Sequence, residues 1–428
     1  MNRHLLATVL ASAIIAPAFA APLEPLLDPA SIWTQQKEPF MTSAKSLGFE
    51  WTSAAQDSAR AAVKDMTFQG LPVVESIVRF EGDAPKEVTV VLYARGDVGD
   101  WTELKFDGLV RTAAETLNKA TNTKFAVRGK DQTSAVKADG LVWATDSARY
   151  VLEYSKTKEV KTRSIPFRAE FVRLEILPPE KKLGLLAAAM SGSKTKFSGI
   201  EHVKKDTTSG DVWIADVPMV DQGQKGYCVV ASAERVMRYY GGSVDQQELA
   251  QVANTSTAGG TSSDAMFDAL KKLSARLKVR VREVEKSDIK DLLKLMADYN
   301  RAAKKANAPL IPDQGRMIDV GEVYNVMDTA VLKEIRTKNK ADLGRFQRTV
   351  QAHIEEGTPL LWTVMLGKIP EKGIPQNAGG HMRLIIGYNP KTEEILYSDS
   401  WGAGHELKRM PTADAWTMTT GAMSIEPQ

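Results

Sequence analysis

A chain of 428 residues with one cysteine, Cys228, can have no intramolecular disulfide framework and no cysteine-built zinc cluster. Its fold must rest on core burial. With 43% hydrophobic and 25% charged residues the composition is ordinary for a globular protein and excludes a largely disordered, collagen-like or coiled-coil chain. The length allows two or three cores. Lysine and arginine (56) nearly balance aspartate and glutamate (53), leaving a net charge of +3. So small a surplus gives no electrostatic reason to expect a nucleic-acid or anionic-membrane partner.

The first twenty residues have the layout of a secretory signal peptide. Arg3 supplies the positive end, residues 5–15 an apolar run, and Ala18-Phe19-Ala20 a small-x-small cleavage site before Ala21. The run is shorter than the roughly 20 residues that span a bilayer. No cysteine follows the cleavage site, which excludes a lipid-modified N-terminal cysteine. The mature protein is therefore expected to be exported and soluble, without stable membrane insertion, in the periplasm or the extracellular medium. Exported proteins usually use cysteines in disulfide pairs. A single one is an inert core residue, an intermolecular link or a reactive thiol.

Residues 21–204 read as one α+β unit, mainly an antiparallel sheet with a helix. Strand patterns occupy residues 71–80, 88–94, 124–127, 140–145, 150–154 and 165–176, rich in β-branched and apolar side chains. Residues 100–120 have a helical period, with Leu104, Leu109, Ala113, Leu117 and Ala120 on one face. The charged stretch 156–163 reads as a solvated hairpin tip, and residues 181–190 as a short helix. Residues 191–211, rich in Ser, Gly, Thr and Lys, read as a linker or exposed loop, which puts a boundary near residue 205.

Residues 205–428 begin with a strand-like segment, 212–219. Helical patterns follow at 228–240, 246–253, 264–277, 288–305 and 341–356. Gly241-Gly242 would end the first of these, and Ser243 with Gln246 has capping-box spacing before the second. Strand patterns then take over at 360–366, 382–388, 394–398 and 406–410, with a turn at 389–392. A helical block followed by a sheet block again indicates α+β.

Cys228 opens the apolar helix after a polar, glycine-containing loop. There, free N–H groups and the helix dipole favour a thiolate. Nucleophilic attack also needs a base, normally a histidine from elsewhere in the chain. Of the mature histidines, His202 lies in the linker and His353 in a charged helix. His381 follows Gly379-Gly380 at the start of an apolar strand, a rigid platform for a base; His405, in a predicted hairpin, is the reserve. Asp399 ends the next strand, where hairpin pairing could bring it beside His381 to orient the imidazole. Trp401 could shield that bond from water. Gln222, preferred over Gln224 on the same loop, offers an amide beside the Cys228 N–H for a developing oxyanion. No cofactor or metal is called for by this set.

With those residues named, the segment from Gln222-Gly223 through Gly226-Tyr227-Cys228 resembles papain-like cysteine peptidases, and Asp399-Ser400-Trp401-Gly402 resembles their Asn-Ser-Trp-Gly segment. The aspartate is more similar to the peptidase domains of bacteriocin exporters, which share the fold. The resemblance covers residues 217–242 and 358–411. It implies a papain-like domain with Cys228 as nucleophile, His381 as base, Asp399 as orienter and Gln222 as oxyanion donor, acting on a peptide or protein. Several features depart from the pattern. The Cys228 to His381 spacing is at or slightly beyond the roughly 130–150 residues typical of such enzymes, so residues 283–340 are read as holding an insertion. Tyr227 and Val229 replace the serine and tryptophan of papain, which points to a different cleft. No ATP-binding cassette accompanies the pattern, so a role in bacteriocin export is not expected.

Three functions fit these residues: a peptidase, a transamidase or acyltransferase using the same site, and a binding protein on an inactive peptidase scaffold. For residues 21–204 an accessory role is expected, because they offer no acid–base set; pro-region, targeting module and docking domain are the forms it can take. Substrate preference and oligomeric state have no signature in the sequence.

Overall fold

In a computed structural model the described residues are 21–428 except 129–135, 137, 160–165, 180–196, 224–225, 243, 256–260, 287, 316–317 and 375–378. The expected export signal, the helix at 181–190, Ser243 and Gln224 lie outside them, as do residues 160–163 of the expected charged hairpin tip.

Helices and sheets are mixed, as the sequence indicates. Residues 23–176 supply one core, built on an eight-stranded sheet whose neighbours all pair antiparallel. Its long members are Glu75–Glu81, Ala84–Ala94, Asp139–Ala144, Arg149–Thr157 and Arg168–Leu177. The helix Glu103–Thr121 is capped by the Thr102 side chain. It buries Phe106, Ala113, Ala114 and Leu117, whereas Leu104 and Ala120 face solvent. The expected stripe is thus corrected: the bulky Phe106, two positions on, takes the core-facing place at the helix start.

The C-terminal half centres on a second antiparallel sheet. Its spatial order is Val203–Lys205, Val212–Ile214, Gly379–Asn389, Leu360–Leu366, Thr419–Pro427 and Val279–Glu285, extended by Glu394–Ser398 and Lys408–Pro411. Alternation along Leu360–Leu366 and Gly379–Asn389 sends side chains to two separate cores. Leu361, Met382, Leu384 and Ile386 meet Val229, Val230, Ala233 and Val236 of the cysteine helix, Cys228–Tyr239. Leu360, Trp362, Val364 and Ile385 meet Phe346, Val350 and Ile354 of the helix Lys340–Glu355. A third cluster joins the helices Ile289–Ala306, Val320–Val326 and Thr329–Lys338 to the sheet through Met365.

The cysteine helix ends as its sequence indicates. Gly241 adopts φ 77°, Gly241 N–H reaches Arg238 O and Gly242 N–H reaches Met237 O, both at 2.8 Å. The next helix, Gln246–Val252, starts differently from expectation: Asp245 is its cap, accepting from the Glu248 N–H. The expected strand 212–219 stops at Ile214, because only residues up to Trp213 find partners on Gly379–Asn389. Among the described residues no helix is long and apolar enough to cross a membrane.

Candidate active site

Cys228 is the first residue of its helix and is half-buried. The preceding Tyr227 gives no side-chain cap, and the first turn contains no acidic residue. No acidic side chain of the first turn therefore competes for the N-terminal N–H groups and the positive end of the dipole.

His381 is the third residue of the strand Gly379–Asn389, not the residue before it as the sequence pattern indicated. The strand begins earlier because Gly379 and Gly380 already pair with Leu366 and Met365. The hairpin with Glu394–Ser398 sets Leu384 opposite Ser398, so Asp399 emerges beside the imidazole. His381 Nε2 lies 2.6 Å from Asp399 Oδ1, and the ring also hydrogen-bonds the Cys228 side chain. With Nε2 committed to Asp399, Nδ1 is the nitrogen left for the sulfur. Trp401 stacks on the imidazole at a centroid distance of 4.3 Å and an interplanar angle of 5°. His381 is 4% exposed and Asp399 fully buried, so this hydrogen bond is shielded from water.

Burial alone would drive the imidazole towards neutrality. The Asp399 carboxylate, by charge and hydrogen bond, and then the Cys228 side chain outweigh it, pushing the His381 pKa up to about 9. Asp399 is held below the ordinary carboxylate range: desolvation opposes ionisation, but His381, Arg383 and the Ser400 N–H prevail. A base raised from 6.5 to about 9 stabilises the fold fully below about pH 6.5 and loses that contribution as pH rises through 9. We expect urea-unfolding free energy to fall by up to ~3 kcal/mol between pH 6.5 and 9.5, and the Asp399→Asn variant to lose most of this slope. Equal slopes in the two proteins would contradict the assignment.

Gln222 is buried, and its side-chain orientation is set by the Ser400 hydroxyl, which donates to Oε1 at 2.6 Å. Its backbone N–H donates to Ser400 O at 2.8 Å. Ser400 N–H in turn donates to Asp399 Oδ1 at 2.9 Å. The structure thus links Gln222 to the Asp399 turn and places Cys228, His381 and Asp399 together. Of the other histidines, His202 pairs with Asp216 near the surface and His353 Nδ1 lies 2.9 Å from Thr349 O within its own helix. His405 meets the far edge of Trp401 at 5.8 Å, and burial and Lys408 hold it below its ordinary pKa.

Two arginines escaped sequence reasoning. Arg383, two residues after His381 on the same strand face, is fully buried and grips Glu371 through two 2.7 Å hydrogen bonds. Its Nε lies 2.8 Å from Asp399 Oδ2, but the N–H is not aligned on that oxygen, so the contact is an ion pair rather than a hydrogen bond. Arg235, two turns along the cysteine helix, donates to Pro218 O at 2.8 Å, Asp399 O at 2.9 Å and Ser398 Oγ at 2.5 Å. Burial pushes its guanidinium down to about 10. A charged residue inside an apolar run, at strand spacing from a candidate base, is the signal that could have exposed Arg383.

Among the described residues no cluster of three or more His, Cys, Asp or Glu side chains is arranged to hold a metal ion. Residues 214–423 match the family model described as Peptidase_C39 like family, a span containing Gln222, Cys228, His381 and Asp399. Among solved structures the chain overlays xylellain, a cysteine protease from Xylella fastidiosa, at 12% identity, covering 55% of this chain and 91% of that one. The TM-score is 0.23, too low for the overlay to support any further comparison. No curated protein matches the chain. Residues 214–423 of this chain are thus similar to peptidase domains of the Peptidase_C39-like kind.

Proposed function

We propose that the chain is an exported cysteine peptidase with Cys228 as nucleophile, His381 as general base and acid, Asp399 as orienter and Gln222 as oxyanion donor. The observation that carries this reading is the buried imidazole, bonded on one side to Asp399 and on the other to the only thiol. The sulfur attacks the scissile carbonyl carbon, forming a C–S bond as the carbonyl π electrons move onto oxygen. That oxygen is met by the Cys228 N–H, which lacks an intrahelical partner by its position, and by the Gln222 amide. His381 protonates the leaving nitrogen and the C–N bond breaks. It then takes a proton from water, whose oxygen attacks the acyl carbon and expels the sulfur.

The test is turnover of a fluorogenic peptide library by wild type and Cys228→Ala. Turnover lost in the variant and blocked by iodoacetamide supports the reading; equal turnover, or none with either protein, removes it. Mass analysis with an added amine distinguishes hydrolysis from acyl transfer. In the same reading, residues 1–20 are an export signal and residues 21–204 an accessory unit. The intact mass of the exported protein is expected to start at Ala21. Retention of residues 1–20 in the exported form would count against the signal.

A further inference from the structure

The segments that deliver the site residues meet the N-terminal unit. Arg60, on the strand Ser58–Ala61, reaches Glu75 within its own unit at 3.2 Å and Asp221 of the oxyanion loop at 3.7 Å. Asp221 Oδ1 accepts the Gly223 N–H at 2.8 Å. Gly223 has φ 65°, and a Cβ there would stand 2.5 Å from Arg60 Nη2. The guanidinium thus lies against the loop backbone next to Gln222. Tyr227, immediately before Cys228, is 1% exposed, and a Cβ on Gly96 would come within 2.0 Å of its hydroxyl oxygen. Beyond the Asp399 turn, Glu406 Oε1 accepts the Ala54 N–H at 2.6 Å. Cys228 nevertheless keeps partial exposure with the N-terminal unit in place.

We propose that the N-terminal unit is a permanent brace for the site rather than a removable cover, with Arg60 as the positioning residue that fixes the oxyanion loop. This rests on the peptidase reading above. A pro-region blocks the substrate face and must leave before catalysis. Here Arg79, Arg95 and Arg173 anchor the unit on Glu234, Asp245, Glu248 and Asn254, and further contacts reach Asp221, Gly223, Tyr227 and Glu406, so removing the unit would free the loop that aims Gln222. Arg60 acts through Asp221: the ion pair holds the carboxylate, and the carboxylate holds the Gly223 N–H. A fork of N–H groups suits this arrangement better than a single ammonium.

The test compares full-length wild type, Arg60→Ala, Arg60→Lys and Asp221→Asn by hydrogen exchange and steady-state kinetics. In Arg60→Ala, exchange at the Gly223 amide is expected to rise at least ~10-fold while the cysteine-helix core stays protected. Turnover should fall by ~10-fold with KM unchanged, since a displaced oxyanion donor costs transition-state stabilisation. Alkylation of Cys228 by iodoacetamide needs no oxyanion donor and should keep its wild-type rate. Arg60→Lys should recover part of the loss. Unchanged Gly223 exchange, or unchanged turnover in an active enzyme, overturns the brace. Should Arg60→Ala loosen the whole protein, Asp221→Asn decides: it must reproduce the local loosening, and a Gly223 amide still protected there overturns the proposal. If wild type shows no Cys228-dependent hydrolysis, the peptidase reading falls while the exchange data still decide the brace.

Discussion

Replacing His381 with alanine is expected to lower peptide hydrolysis by on the order of 10⁴-fold or more, the loss seen when a triad base is removed. The protein should still fold, because Cys228 is half-buried and Trp401 retains packing against His405. Two readouts separate a catalytic role from a packing one. With the hydrogen-bonded imidazole gone from beside Cys228, iodoacetamide should react ~10-fold or more slowly at pH 6 in the variant. Asp399→Asn should fall between wild type and His381→Ala in alkylation, because the ring stays but its charge is less supported. Equal alkylation rates in wild type and His381→Ala would sink the assignment of the base.

Replacing Arg383 with methionine should produce the largest loss of stability, ~3–5 kcal/mol, since it leaves the buried Glu371 carboxylate without its counter-ion and Asp399 with His381 alone. Glu371 would lose both hydrogen bonds, and Asp399 the cation beside Oδ2. The effect should extend to the chemistry. Without Arg383 the Asp399 carboxyl rises from its depressed position, and a less charged Asp399 lets the His381 pKa fall from about 9. In wild type the Asp399 contribution is complete above about pH 4 and is lost on acidification through its depressed folded value. The variant should show a weaker acid limb in urea unfolding. A loss below ~1 kcal/mol would mean the two carboxylates relax or take up protons at little cost, contrary to this account.

The candidate site was more legible in the sequence than its support. Gln222, Cys228, His381 and Asp399 stand out because few residue types carry nucleophilic or acid–base chemistry and because their order has a recognisable spacing. Arg383 and Arg235 did not. A buried charge looks like a surface charge until its partners are known, and those partners lie on other segments. The strands 360–366 and 394–398 were clear from their apolar and aromatic residues, Leu360 to Leu366 around a single Thr363 and Ile395 to Tyr397. The last strand, Thr419–Pro427, was not, because its threonines and glycine gain strand character only by pairing with Leu360–Leu366 and Val279–Glu285. The short helices Val320–Val326 and Thr329–Lys338 carried a signal that was missed, the capping aspartates Asp319 and Asp328. The short pieces between residues 21 and 70 have too few residues each for a period to emerge.

The hydroxyl and backbone of Ser400 serve Gln222 while its N–H serves Asp399. In the proposed mechanism, proton transfer and charge stabilisation therefore share one hinge point, and neither is expected to be retuned without disturbing the other. For anyone evolving this chain towards new substrates, the turn at 399–402 is the poorest place to diversify. Libraries should leave that serine untouched and vary positions whose hydrogen bonds answer to a single function.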